Sequence, residues 1–198
     1  VIAYSKNYSG ENYTLSKLIW KLSDISNLQR IRFTTSHPND MSQDLIDAHR
    51  DCEKLMPYLH LPVQSGSDHV LKKMNRKHTA DDYRRIIDKL RKARPDLLLS
   101  GDFIVGFPGE TDEDFLDTLR LIKDIEYGQS YSFKYSSRPG TPAANREEIS
   151  EIVKKERLVE LQTLLIEQQV RLQKIMIGRE ANVLFLKPGS RVGHIDGD

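Results

Sequence analysis

Residues 100–111 read SGDFIVGFPGET. An apolar run, Phe103, Ile104 and Val105, passes directly into Gly106, a Pro108-Gly109 turn, and Thr111, a residue able to open a helix. A strand, a glycine turn and a helix start form the junction at which α/β proteins bind ligands. Strand carboxyl ends meet helix amino ends there, and glycine lets backbone N–H groups come close to a bound molecule. The segment predicts a βα unit and the lip of a binding site.

Working outward, the alternation repeats. Residues 1–4 predict a strand and residues 5–13, polar with Gly10, a loop; Thr14 then caps a helix whose face is Leu15, Leu18, Ile19 and Leu22. Residues 30–34 alternate Ile31 and Phe33 with polar positions, Ser36-His37-Pro38 closes that strand, and Ser42 opens a helix carrying Leu45, Ile46 and His49. Residues 58–63 predict another strand. After it, Asp68 caps a short helix, and Thr79 caps a longer one with Tyr83, Ile86, Ile87 and Leu90 at helical spacing, stopped by Pro95.

Residues 97–105 give the next strand. Its helix starts at Thr111, with Asp114 closing a capping box and Phe115, Leu119 and Ile122 on the buried side. A strand over 130–135 ends in SSRPGTP. Strands alternating with helices at this spacing predict a parallel α/β sheet, an open or partial barrel. Residues 148–177 depart from the pattern and predict a helix of about 45 Å. Its near-heptad seam of Leu158, Leu161, Leu165, Leu172 and Ile175 is broken by Gln168, which favours a helix lying against the domain over a coiled coil. Residues 181–186 predict one more strand, the opening of a unit too short to bury a core alone.

Composition bounds the function. With 198 residues, 38% apolar and 30% charged, the chain suits one substantial domain and a small appendage. It contains no run of about 18 apolar residues and no signal-peptide pattern, so a cytoplasmic protein with no membrane partner is the expectation. Thirty basic against 29 acidic residues leave a net charge of +1, so a nucleic acid would have to be met by a local patch. Cys52 is the single cysteine and cannot complete a zinc or iron-sulfur ligand set, and the six histidines do not fall at chelating spacings; no metal ligands are assigned.

Three strand ends carry polar chemistry: residues 35–38, 62–68 and 106–110. In a barrel they converge on the face where such folds place catalysis. Gln64, Ser65 and Ser67 offer amide and hydroxyl groups suited to a ribose or carboxylate, and Gly66 allows close approach. The helix over 81–94 carries Arg84, Arg85, Lys89, Arg91 and Lys92 opposite its apolar stripe, more in the manner of a solvated face than of an RNA contact. Arg138, beside the Pro139-Gly140 turn at the rim, is the better substrate-binding candidate, a planar donor fork for phosphate or carboxylate.

RIRFTTSHP (30–38), HLPVQSGSD (60–68), DFIVGFPGET (102–111) and SSRPGTPAA (136–144) together resemble the radical S-adenosylmethionine methylthiotransferases. The wording is nearest to the MiaB type, which adds a methylthio group to isopentenyladenosine beside the tRNA anticodon. The resemblance implies a partial (β/α)6 barrel over residues 1–178, with strands 2 to 6 present, and the start of a small TRAM-like β-barrel over 179–198. It implies S-adenosylmethionine across the strand ends, near Gln64 and Ser65, near Ile104, Gly106 and Glu110, and near Phe133 and Tyr135. It implies tRNA as partner of the complete enzyme, which is expected to be a monomer.

The resemblance has gaps. The family's C-x-x-x-C-x-x-C motif, whose thiolates hold the 4Fe-4S cluster, is absent, so a fragment that is inactive by itself is expected. Residues 1–8 also differ from the family's usual second-strand loop. Two alternatives stand beside this reading: a remnant that binds nucleotide or RNA weakly, and a sister branch acting on threonylcarbamoyladenosine. A phosphosugar-handling barrel would need a lysine or paired carboxylates at strand ends, and neither is found.

Overall fold

The computed structural model describes residues 6–8, 11–35, 37–184 and 194–195. The strand expected over 1–4, Ser36, and the end of the strand expected over 181–186 lie outside the described residues. Where a loop is expected near the start, β1 (Lys6–Tyr8) and β2 (Glu11–Tyr13) instead pair antiparallel. Polar arms of three residues carry no alternation of apolar positions by which a strand is read from sequence.

The domain is a parallel sheet with helices on one side. β3 (Tyr58–His60), β4 (Leu98–Val105) and β5 (Gln129–Lys134) lie in that order, all parallel. The segment over 31–34 adds a fourth parallel neighbour to β3 through bridges at Ile31–Leu55 and Thr34–His60. The ladder between β3 and β4 is interrupted after the Leu61 N–H donates to the Ser100 carbonyl at 2.8 Å, and it resumes one residue out of register, where the Gln64 N–H donates to the Asp102 carbonyl at 2.9 Å.

The helices follow the expected signals. α1 (Leu15–Ser23) is capped by Thr14, α4 (Ala80–Ala93) by Thr79 and α5 (Asp112–Ile125) by Thr111, the last two with full capping boxes. α2 (Gln43–Asp51) follows Ser42. α3 (Asp68–Lys73) is capped by Ser67 rather than Asp68. Asp68 instead accepts the Ala80 N–H at 2.7 Å and so ties α3 to the start of α4.

Strand alternation separates the two faces of β4. Leu99, Gly101, Phe103 and Val105 are buried against the helices, and Asp102 and Ile104 are half-buried on the other face. On the helical side Phe103 meets Tyr127 edge-on at 5.3 Å. A hydroxyl relay runs beneath it: Tyr127 donates to the Tyr83 hydroxyl at 3.0 Å, and Tyr83 donates to the Leu61 carbonyl at 3.0 Å. Burial pushes both phenols up, so they stay protonated donors.

α6 (Glu151–Met176) packs on β5, β4 and α5. Leu161 and Leu165 are buried, and Gln168 is not a flaw in the seam: its amide donates to the Ile122 carbonyl at 2.8 Å and accepts the Tyr127 N–H at 3.2 Å. Both groups lie at the end of α5, where the Ile122 carbonyl also accepts the Glu126 N–H at 3.1 Å. Beyond this point Ile175 is half-exposed, and α6 leads to a short antiparallel pair, β6 (Val183–Leu184) with β7 (His194–Ile195). The Arg30 side chain donates to the Asn182 carbonyl at 3.1 Å, holding the segment before β6 to the sheet.

Candidate functional site

The junction after β4 gathers most of the residues singled out from the sequence. Ile104 pairs with Phe133 across the sheet, and its N–H donates to the Gln64 carbonyl at 2.9 Å. Tyr135 donates its N–H to the Val105 carbonyl at 2.8 Å. Gln64, Ile104, Gly106, Glu110, Phe133 and Tyr135 thus surround one strand end. Arg138 is exposed on the loop beyond.

Glu110 organises the loop from within. Its carboxylate accepts the Gly106 N–H at 2.7 Å and an Arg157 N–H at 2.7 Å, and Arg157 also reaches the Glu110 carbonyl at 3.2 Å and Asp112 at 2.6 Å. Glu110 is 5% exposed, and burial pushes its carboxyl up against the opposing pull of the Gly106 N–H and Arg157. Gly106 has φ +72°, and the space its side chain would take is filled by the stem of Lys154. Its missing side chain admits α6, and its N–H is spent on Glu110. Lys154, 1% exposed, is neutralised by Glu148 at 2.7 Å and Glu151 at 3.0 Å.

Ser65 and Ser67 spend their hydroxyls on the fold. Ser65 is fully buried against the Thr118 hydroxyl at 3.2 Å and accepts the Ser67 N–H at 3.2 Å. Ser67 donates to Asp114 at 2.5 Å. Gly66 permits a close approach, but what approaches is the backbone of α5 at Asp117 and Thr118. Asp114 also takes His69 at 2.9 Å and the Thr111 N–H at 2.9 Å; burial opposes its ionisation, and these hydrogen bonds prevail, holding it at about 2.

Polar groups that the fold leaves without a partner remain at the same end. Gln64 has φ +78°, and its carboxamide makes no hydrogen bond among the described residues. A non-glycine residue held there costs about 1–3 kcal/mol, a strain that clusters at ligand sites. The Tyr135 hydroxyl is buried without a partner, its ring edge-on to Phe107 at 5.0 Å. These groups fit a polar ligand such as a nucleoside laid across the strand ends. A cluster needing three thiolates does not fit the residues present: Cys52 is alone and 2% exposed.

Sequence reasoning passed over the inner face of the sheet. His60, Asp102 and Tyr131 stand on neighbouring strands and point the same way, His60 Nε2 to Asp102 at 3.6 Å and the His60 and Tyr131 rings edge-on at 6.3 Å. The buried Ser100 hydroxyl lies 2.9 Å from His60 Nδ1. Period-two alternation held the signal, since residues 100, 102 and 104 are all displaced from the core set 99, 101, 103 and 105. Nearby, His37 packs edge-on against His78 at 4.9 Å, and burial lowers His78 to about 4.

The three arginines on the basic face of α4 are committed within the protein, while Lys89 and Lys92 are exposed. Arg84 pairs with Asp81 and Asp124 at 3.0 Å, Arg85 pairs with Asp82, and Arg91 donates to the Ile125 carbonyl. No described helix is long and apolar enough to cross a membrane.

Residues 8–122, more than half of the chain, match the Radical SAM superfamily. The chain belongs to that superfamily. The radical SAM domain is also similar to coproporphyrinogen III oxidase of Escherichia coli, described as a radical SAM enzyme, with a TM-score of 0.58 over 70% of this chain and 32% of that one; at 22% identity this likeness speaks for the fold. Curated relatives are much nearer in sequence. The chain is 61% identical over 188 residues to the tRNA-2-methylthio-N(6)-dimethylallyladenosine synthase of Roseobacter denitrificans, covering 95% of this chain and 43% of the relative. The enzymes of that name from Jannaschia sp. and Ruegeria pomeroyi are 60% and 56% identical over the whole chain, which covers 43% and 45% of them. The chain thus spans less than half the length of these relatives.

Proposed function

We propose that the chain forms the cofactor-cradling barrel wall of a tRNA methylthiotransferase acting on dimethylallyladenosine, the same group as isopentenyladenosine, beside the anticodon. The observation that carries this reading is identity of 56–61% along the chain to synthases of that name. A sister branch or a non-catalytic remnant finds no comparable support.

In such chemistry S-adenosylmethionine supplies a methyl group and the means of removing a hydrogen atom from the adenine ring. Within this chain, Gln64 and Tyr135 hold polar groups toward the bound nucleoside moiety, and Ile104 and Phe133 give it an apolar floor. Glu110, braced by Arg157, fixes the Gly106 turn, while Ser65 and Ser67 keep the 62–68 loop in place. Arg138 stands at the rim for the RNA backbone. The residues of this chain do not supply the iron-sulfur ligands of the working enzyme. Residues 1–178 are read as the radical SAM core, and 179–198 as the opening of a TRAM-like β-barrel that grips tRNA.

The test is reconstitution of the longer polypeptide containing this sequence, incubated with S-adenosylmethionine and tRNA bearing dimethylallyladenosine. Mass spectrometry of the digested tRNA is expected to show the methylthio nucleoside. Its absence with that tRNA, together with product on threonylcarbamoyladenosine tRNA, would overturn the assignment.

A further inference from the structure

β3 and β4 fall out of step where the 62–68 loop leaves the sheet. His60 pairs with Ser100, yet Gln64 pairs with Phe103, so Leu61, Pro62 and Val63 stand against Gly101 and Asp102 alone. One extra residue on one strand is a bulge, which bends the chain and re-aims the side chain that follows. Here that side chain is Gln64. Its N–H donates to the Asp102 carbonyl and its carbonyl accepts the Ile104 N–H, both at 2.9 Å, which pins the backbone at φ +78°. A residue with a Cβ takes that conformation only where its surroundings enforce it.

The enforcing groups lie on the helical side. Regular parallel pairing would bring the Asp102 N–H to the Leu61 carbonyl. That carbonyl takes the Tyr83 hydroxyl at 3.0 Å, so a side chain from α4 fills the gap in the ladder. A hydroxyl has one proton to give, and that of Tyr83 is committed to Leu61 because Tyr127 donates its own to the Tyr83 oxygen at 3.0 Å. Tyr83, Leu61 and Val63 are fully buried and Tyr127 is 1% exposed, so the bond has no substitute in bulk solvent. β4 makes room at the bulge itself. Gly101 stands opposite the extra residue, and a Cβ there would come within 3.0 Å of the Tyr127 ring. Packing alone would be served as well by phenylalanine at both tyrosine positions; the hydroxyls are accounted for by the interrupted carbonyl.

We infer that Tyr83 is a positioning residue for the strand-end cradle: its hydroxyl holds the bulge at residues 61–63 and so keeps Gln64 turned toward the nucleoside moiety of the cofactor. The part given to Gln64 rests on the function proposed above. Tyr83 acts from beneath the sheet, through the Leu61 carbonyl, and its effect on the cofactor passes through Gln64.

The test is a double-mutant cycle in the longer polypeptide containing this sequence, with its iron-sulfur clusters reconstituted, read by calorimetry of S-adenosylhomocysteine binding. Gln64→Ala should weaken binding about tenfold and Tyr83→Phe about fivefold. Because Tyr83 acts through Gln64, the double variant should bind no more weakly than Gln64→Ala alone. Tyr127→Phe keeps the bond from Tyr83 to Leu61 and should hold affinity within about twofold. In turnover, Tyr83→Phe should raise KM for S-adenosylmethionine and leave KM for tRNA unmoved, a split that a general loss of structure would not give. Removing one hydroxyl from a packed ring retains the fold, which thermal melts verify. Losses that multiply in the double variant overturn the inference and leave the function standing, as does a Tyr83→Phe protein that binds like the parent while Gln64→Ala does not. If Gln64→Ala itself binds like the parent, the cradle reading falls and the inference with it. If the cycle behaves as expected and no methylthio nucleoside forms on dimethylallyladenosine tRNA, the function is wrong and the positioning stands.

Discussion

The two faces of β4 share a backbone and differ in everything else. The odd positions, Leu99, Phe103 and Val105, are at most 1% exposed and bind the sheet to its helices, whereas Asp102 and Ile104 on the even side are only half-buried. The helical face obeys the hydrophobic effect, so its side chains are interchangeable in kind and expensive to remove. The inner face holds polar and aromatic groups, His60, Asp102, Tyr131 and Phe133, that stay partly open to solvent. In this fold, stability and chemistry are separated by one residue of register.

The sharpest way to test that separation is to truncate on the helical side. Phe103→Ala removes a fully buried ring from its edge-on contact with Tyr127 and should cost about 3–5 kcal/mol, read from urea unfolding. A loss under about 1 kcal/mol would mean that the two faces are not energetically distinct.

A comparable cost should come from the buried ion pair that braces the loop after β4. Arg157→Met leaves the Glu110 carboxylate buried without its guanidinium, at a cost of about 3–5 kcal/mol near neutral pH. Burial already raises the Glu110 pKa, so the stability linked to it is greatest in acid and falls as pH rises through the raised value. The gap between variant and parent should therefore narrow on acidification. A gap constant with pH would place the loss in packing of the arginine stem instead.

These two predictions also show what was legible in advance. The βα periodicity and the caps at Thr79 and Thr111 follow from local pattern, because capping and amphipathic spacing are short-range, whereas Tyr135 was named beside Gln64 and Gly106 only through the family resemblance. Arg157 and Lys154 were invisible as partners of Gly106 and Glu110, since about 47 residues separate them and a charge on a helix does not announce that it is buried. The same distance hid the service of Gln168 to Ile122 and Tyr127. Gly66 and Gly106 were legible as close-approach positions, but what approaches each is a helix, which composition cannot tell from a ligand.

On the helical side, acid should act through histidine. His49 is fully buried beside Phe33 at 5.4 Å with both ring nitrogens unpartnered, and burial, with Arg94 nearby, lowers it to about 4. Its folded pKa lies below the unfolded value, so its share of stability is complete above about 6.5 and is lost as pH falls toward 4. His49→Leu should remove about 2–3 kcal/mol of that acid-side loss, seen as a flatter curve of unfolding free energy against pH. A curve with unchanged slope would assign the loss to His78, which is lowered to a similar value beside His37.

The smallest effect should lie on the inner face. Phe133→Ser removes a ring that is 54% exposed on an edge strand, where little apolar area is lost and β5 keeps its ladder to β4. Unfolding free energy should move by no more than about 0.5 kcal/mol. If it falls by as much as the Phe103 truncation, Phe133 belongs to a core that other parts of the protein complete. If it holds while S-adenosylhomocysteine binding weakens, the ring is kept for what it touches rather than for what it stabilises, as the contrast between the faces requires.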